Sequence, residues 1–195
     1  RMKVQYGGNM MIRKDMPPEL FPKLRKSGMS VTLIGVESGS AETLLRMRKR
    51  HTPAMADQFI KHCHDAGIRT EINFIVGFPT ETEKHFQETL DFMRRNAPNI
   101  DRIISATTFL ILESDIKHKL DEFGIELLNS NGDWRLKDGS NTPEIRQERM
   151  ERLLKEAREL GLIKNEFFSD FFENKDASLP KPDVLLPLVL PRKTS

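Results

Sequence analysis

Four strand-like runs alternate with helix-like segments over the first 112 residues, and this alternation constrains the fold more than any other feature. Each connection is long enough to return the chain to the same end of a sheet, which means parallel pairing. Residues 3–13 (KVQYGGNMMIR) form the first run, with Gly7 and Gly8 marking a bulge or a close approach. Asp15 then precedes Pro17, Pro18 and a short helix carrying Leu20, Phe21 and Leu24. The second run, residues 31–37, gives way to a helix over about 41–48. Thr52 and Pro53 open the next helix, whose apolar stripe is Ala56, Phe59, Ile60 and Cys63. Residues 69–77 are the third run, and Thr80 with Glu83 fits a capping box for a helix ending near Asn96. The fourth run covers about 102–112. The pattern predicts an α/β fold with about four β/α units, a sheet or a partial parallel barrel.

The rhythm changes after Glu113, so residues 1–113 are expected to form the partial β/α barrel and residues 114–165 a mostly helical extension. A short helix is expected over 115–123, then a loop rich in Asn, Asp and Gly that holds the sole tryptophan, Trp134. Thr142 and Pro143 start a long amphipathic helix with Met150, Leu153, Leu154, Ala157 and Leu160 on one side. Residues 166–195 read as a Pro-rich, loosely ordered tail.

Strand parity locates a candidate site. On the third run Ile72, Phe74 and Val76 share one face, suited to a helix layer, while Glu71, Asn73, Ile75 and Gly77 share the other. On the second, Thr32, Ile34 and Val36 face the helices and Leu33, Gly35 and Glu37 face away. The interior is therefore expected to be open and polar. Arg13, Glu37 and Gly77 are delivered to the same C-terminal edge, where α/β proteins place their sites. Two readings stay open here: a binding site, or a structural Arg13–Glu37 pair with Ser38 or Ser40 capping a helix. His62 and His64 lack the spacing of a metal pair and are expected at the surface.

A net charge of +2, with Lys and Arg interleaved among Asp and Glu, argues against nucleic-acid or membrane partners. The cluster from Arg46 to His51 is the best basic patch and suits a solvated helix end. Cys63 is the only cysteine, which excludes an intrachain disulfide and predicts a cytoplasmic protein. The apolar run at 184–190 is too short to span a bilayer. The chain starts without Met and directly in strand-like sequence, which is expected of a fragment boundary.

GVESGS at 35–40, the residues Leu44 to Lys49, and Ala66-Gly67-Ile68 through NFIVGFPTET at 73–82 together resemble radical S-adenosylmethionine (radical SAM) enzymes. Arg13-Lys14-Asp15 fits the same pattern. Asp133-Trp134 and the segment Lys137 to Glu144 with Arg146 are similar to the region after the barrel in members that carry an N-terminal cobalamin-binding domain. The resemblance implies a partial β/α barrel that reductively cleaves S-adenosylmethionine with a 4Fe-4S cluster, with cobalamin-dependent methyl transfer as a common outcome. It implies that Glu37, with Ser38, contacts the ribose hydroxyls. It also implies that Ile75, Val76 and Gly77 line the strand against the adenine, that Asn73 on the same strand belongs to the cofactor-binding set, and that Arg13 is a partner for the methionyl carboxylate.

The chain departs from that family in one respect that decides its chemistry. The family's CxxxCxxC loop is absent, and Cys63 sits mid-helix on an apolar stripe, so no cluster ligands are expected here and no metal-binding residue is assigned. The expectation is the C-terminal part of a radical SAM enzyme, inactive alone and missing the N-terminal half of the same polypeptide. Its expected partners are a small-molecule cofactor and an unidentified substrate. The alternatives are a non-catalytic α/β scaffold that binds a partner, and a metal-free enzyme using Glu37 as a general base.

Overall fold

The computed structural model describes residues 4–163; the expected tail at 166–195 lies outside them. Four parallel strands, β1 (Tyr6–Met10), β2 (Met29–Glu37), β3 (Arg69–Val76) and β4 (Arg102–Thr108), lie side by side in chain order. Between them run α1 (Leu20–Ser27), α2 (Ala41–Arg46), α3 (Pro53–Asp65) and α4 (Glu83–Asn96). This is the α/β architecture that the alternation predicts, a partial parallel barrel wall.

The layers follow from strand parity. Ile34 and Val36 on β2, Ile72, Phe74 and Val76 on β3 and Ile103 on β4 are buried in one apolar cluster with Phe59, Ile60 and Cys63 of α3 and Phe86, Leu90 and Met93 of α4. Phe74 meets Phe92 edge to face, with centroids 6.3 Å apart. Cys63 is fully buried, and burial pushes its thiol up to about 12, so it is a core side chain rather than a nucleophile. His64 is exposed, whereas His62 is half-buried against Phe21, 5.4 Å between ring centroids.

Beyond the sheet come β5 (Ile125–Leu127), β6 (Trp134–Leu136) and α5 (Pro143–Glu159). The helix expected at 115–123 is only one 3-10 turn, Asp115–His118, and the antiparallel β5–β6 pair was not legible in the sequence. Three-residue strands are too short to show a period-2 pattern. Helix α5 is capped by the Thr142 hydroxyl, which accepts from the Ile145 amide. Its Met150, Leu153 and Ala157 join the main apolar cluster, and the Ile103 amide donates to the Leu162 carbonyl at 2.8 Å. The extension thus completes the core of the sheet.

Two other boundaries differ from expectation. The capping box of α4 is Thr82 with His85, not Thr80 with Glu83. The Thr82 hydroxyl accepts from the His85 amide, and the Thr82 amide donates to His85 Nδ1. Strand β1 ends at Met10, so Arg13 falls in the loop that follows.

Candidate functional site

The face of the sheet turned away from the helices is polar and layered. Strand register places Leu33 beside Glu71 and Arg102, and Gly35 beside Asn73 and Ser105, with Glu37 and Ile75 nearer the C-terminal edge. In the lower layer Glu71 pairs with Arg102 at 2.7 Å and with Arg69 at 3.7 Å.

Glu37 leaves the strand in an uncommon conformation. Its φ is 66°, in the left-handed region, and the Ser38 amide donates back to the Val36 carbonyl at 2.8 Å. That closes a three-residue turn around Glu37 and interrupts the β2–β3 register. A non-glycine residue held there costs on the order of 1–3 kcal/mol, so surrounding contacts must enforce it. They do. Lys49 Nζ donates to Glu37 Oε1 at 2.9 Å, and Asn73 Nδ2 donates to Oε2 at 3.2 Å. The His51 ring, through Nε2, donates to the Val36 carbonyl at 3.2 Å.

Gly35 provides the space beneath. A Cβ at this position would sit 3.1 Å from Glu37 Oε1 and 3.8 Å from Asn73 Oδ1, and that amide oxygen has no hydrogen-bond partner. Two acceptors therefore converge above a bare backbone carbon. The amide oxygen is closed off from solvent, so the Glu37 carboxylate is the acceptor that a ligand's hydroxyl donors would meet.

The rest of ESGS performs a different task. Ser38 is fully buried, its hydroxyl bonded to Thr89 Oγ1 at 3.1 Å and accepting from the Ser40 amide. The Gly39 amide donates to Thr89 Oγ1 at 3.0 Å, and a Cβ on Gly39 would lie 2.6 Å from the Glu88 carbonyl oxygen. This segment docks on the backbone of α4, leaving Glu37 as the side chain turned toward the open face. Ser38 therefore does not share the inner edge with Glu37, because its hydroxyl is consumed by α4.

Arg13 does not join them. Its guanidinium bonds Asp15 at 2.8 and 2.5 Å and is largely exposed. Proximity in sequence wins: two residues of separation make an Arg–Asp pair easier to form than a contact across the sheet edge. Of the two readings left open, the structural Arg13–Glu37 pair is not formed; Glu37 pairs with Lys49 instead.

The turn after β3 is held by residues that strand parity could not find. Gly77 has φ +77°, and a Cβ there would lie 2.3 Å from both Cγ and Cδ of Arg146. Its amide donates to Glu81 Oε2 at 2.7 Å. Asn141 Nδ2 donates to the Phe78 carbonyl at 3.1 Å, and Phe78 packs edge to face on Phe109 with centroids 4.9 Å apart. Glu81 is 3% exposed, and burial pushes its carboxyl from 4.5 up to about 7 against the pull of the Gly77 amide and Arg149. Arg149 Nη1 lies 3.3 Å from that carboxylate. Glu81 precedes the first residue of α4 by two positions, and its carboxylate folds back on the turn. Ile75 lies on the inner face beside Thr107, whereas Val76 points into the helix layer and offers a ligand only its backbone.

Polar acceptors thus gather at the C-terminal edge of a parallel sheet, the edge where α/β proteins place their sites. Residues 9–93, from β1 to α4, match the model of the Radical SAM superfamily. A tRNA-2-methylthio-N(6)-dimethylallyladenosine synthase of Jannaschia sp. is 38% identical over 78 residues, covering 39% of this chain and 15% of that protein. The enzyme of the same name from Caldicellulosiruptor saccharolyticus is 30% identical over 135 residues, 67% of this chain and 24% of that protein. The chain thus spans a quarter or less of those relatives. Among solved structures, coproporphyrinogen III oxidase from Escherichia coli, a radical SAM enzyme, superposes with a TM-score of 0.60 at 17% identity. That superposition covers 81% of this chain and 33% of the oxidase, and establishes the likeness of fold.

Proposed function

We propose that this chain is part of a radical SAM enzyme, that its inner edge holds the nucleoside of S-adenosylmethionine, and that the whole enzyme performs cobalamin-dependent methyl transfer. The observation that carries the reading is the strained Glu37, turned by a positive φ onto the open face and fixed beside Asn73 over Gly35. Strain at a strand end is tolerated where a function uses it. Glu37 accepts from the ribose hydroxyls with the Asn73 amide holding its carboxylate in place, Ile75 offers an apolar surface to the base, and Gly77 lets the backbone come close. Lys49 keeps the carboxylate aimed. The methyl-transfer part rests on the resemblance of residues 133–146 to members with a cobalamin-binding domain.

The residues present do not fit an iron–sulfur cluster. Among the described residues no group of three His, Cys, Asp or Glu could hold a metal ion, and Cys63 is sealed in the core. The thiolates would come from outside the 195 residues, and no electron-transfer step is assigned to this chain. No helix among the described residues is long and apolar enough to cross a membrane; a cytoplasmic location belongs to the proposal.

The test is anaerobic reconstitution, with iron and sulfide, of the polypeptide that encloses this chain. Cluster absorbance followed by release of 5′-deoxyadenosine from S-adenosylmethionine is expected on reduction. An intact cluster without release overturns the reading and favours a non-catalytic binding scaffold.

A further inference from the structure

Arg146 is a buried cation, 5% exposed, whose guanidinium forms no salt bridge among the described residues; Asp133 and Glu144 act on it only through longer-range attraction. Nη1 instead donates to Asn141 Oδ1 at 3.0 Å and Nη2 to the Trp134 carbonyl at 2.7 Å, with the guanidinium carbon 3.9 Å above the Trp134 ring. Burial holds its pKa down at about 10. Burying such a charge is costly, and an apolar side chain of equal length would fill the same space without that cost.

An apolar side chain could not orient Asn141. The amide of asparagine has one acceptor end and one donor end. With Oδ1 taken by Arg146, Nδ2 must face the Gly77 and Phe78 carbonyls, at 3.4 and 3.1 Å. The arginine stem meanwhile lies against the Cα of Gly77, in the space a Cβ would need. On the other side of the turn, Glu81 accepts from the Gly77 amide and is itself held by Arg149. Arg146 and Arg149 stand three residues apart, on one face of α5. One helix from the extension thus holds both the donor and the acceptor side of a single turn.

We infer that Arg146 is a positioning residue: acting through Asn141, it fixes the Gly77–Phe78 turn and so sets how well the end of β3 receives an adenosine-bearing ligand. The inference rests on the proposed nucleoside site. It assigns to the extension a part in binding, at a distance from Glu37 and Asn73.

The experiment uses the 195-residue chain and the variants Arg146→Met, Arg146→Lys and Leu153→Ala. Leu153 is fully buried in the core and makes a destabilising control away from the turn. S-Adenosylmethionine is titrated by calorimetry, and amide exchange is followed at residues 77–81. Arg146→Met is expected to raise exchange across 77–81 and to weaken binding about tenfold, as lost charged hydrogen bonds do. Arg146→Lys, which keeps the cation and stem, recovers part of the affinity. Leu153→Ala lowers the Tm without changing affinity at temperatures where it is folded. Wild-type affinity in Arg146→Met, unchanged exchange at 77–81, or an equal affinity loss in Leu153→Ala overturns the inference. Absence of binding by the wild-type chain counts instead against the nucleoside reading, and the exchange comparison then decides whether Arg146 holds the turn.

Discussion

Lys49 Nζ and Glu37 Oε1 stand 2.9 Å apart across 12 residues of sequence, and this ion pair fixes the one strained carboxylate at the end of β2. Lys49 is the more exposed partner, 37% against 11% for the glutamate side chain, so the pair contributes about 0–1 kcal/mol to stability. Its consequence is orientation. The carboxylate lies over Gly35 instead of swinging into solvent.

Replacing Glu37 by Gly and by Ala separates backbone from side chain. Both remove the carboxylate, but only Gly relieves the left-handed conformation at φ 66°. Glu37→Gly is expected to be about 1–2 kcal/mol more stable than Glu37→Ala in urea denaturation. Equal midpoints would mean that the backbone at this position relaxes and stores no strain.

Gly77→Ala meets two obstacles at once, a φ of +77° and a new methyl group 2.3 Å from the Arg146 stem. A loss of about 2–4 kcal/mol is expected from strain and overpacking together. Shortening the arginine in Gly77→Ala/Arg146→Ala removes the clash but not the strain. The double variant should therefore lose less than the sum of the two single losses, measured as a thermodynamic cycle.

Thr89→Val preserves shape and removes the acceptor of the Gly39 amide, which then has no partner in a buried site. A cost of about 1–3 kcal/mol is expected. Thermal unfolding beside that of Thr43→Val supplies the contrast. The Thr43 hydroxyl is buried without any partner, so its replacement should be neutral or stabilising.

Glu81 predicts a pH dependence of definite sign. Its folded-state pKa, about 7, lies above the ordinary 4.5, so the folded state holds the proton more tightly. The stability this provides is complete below pH 4.5 and is lost as pH rises through about 7. Glu81→Gln removes the dependence. The Tm of the variant relative to wild type should improve steadily from pH 5 to pH 8. A trend in the opposite direction would show that Arg149 outweighs burial and holds the carboxyl down.

Much of the sheet was readable because period-2 patterning is a direct consequence of one buried face. Ile72, Phe74 and Val76 announced the helix side, and Gly35, Glu37 and Asn73 the open side. Cys63 was readable as core for the same reason, from its place on a helical stripe. Arg13 was not, since extending the first strand past Met10 depended on local propensity and ignored Asp15 as a nearer partner. Glu81 escaped because a carboxylate near a helix start has a sufficient local explanation, and its actual partner, Arg149, is 68 residues away. The Arg146–Trp134 stack and the Asn141 relay have no periodic signature at all. They arise when the hairpin and α5 fold back on the sheet, a long-range event that spacing does not encode.

The most direct test of the account is the affinity of the chain for S-adenosylmethionine, wild type against Glu37→Ala, by calorimetric titration with circular dichroism to verify folding. Binding by the wild type and a loss of about tenfold or more in the variant is the predicted result, the expected effect of removing a charged acceptor from ligand hydroxyls. Unchanged affinity in a folded Glu37→Ala chain would contradict it.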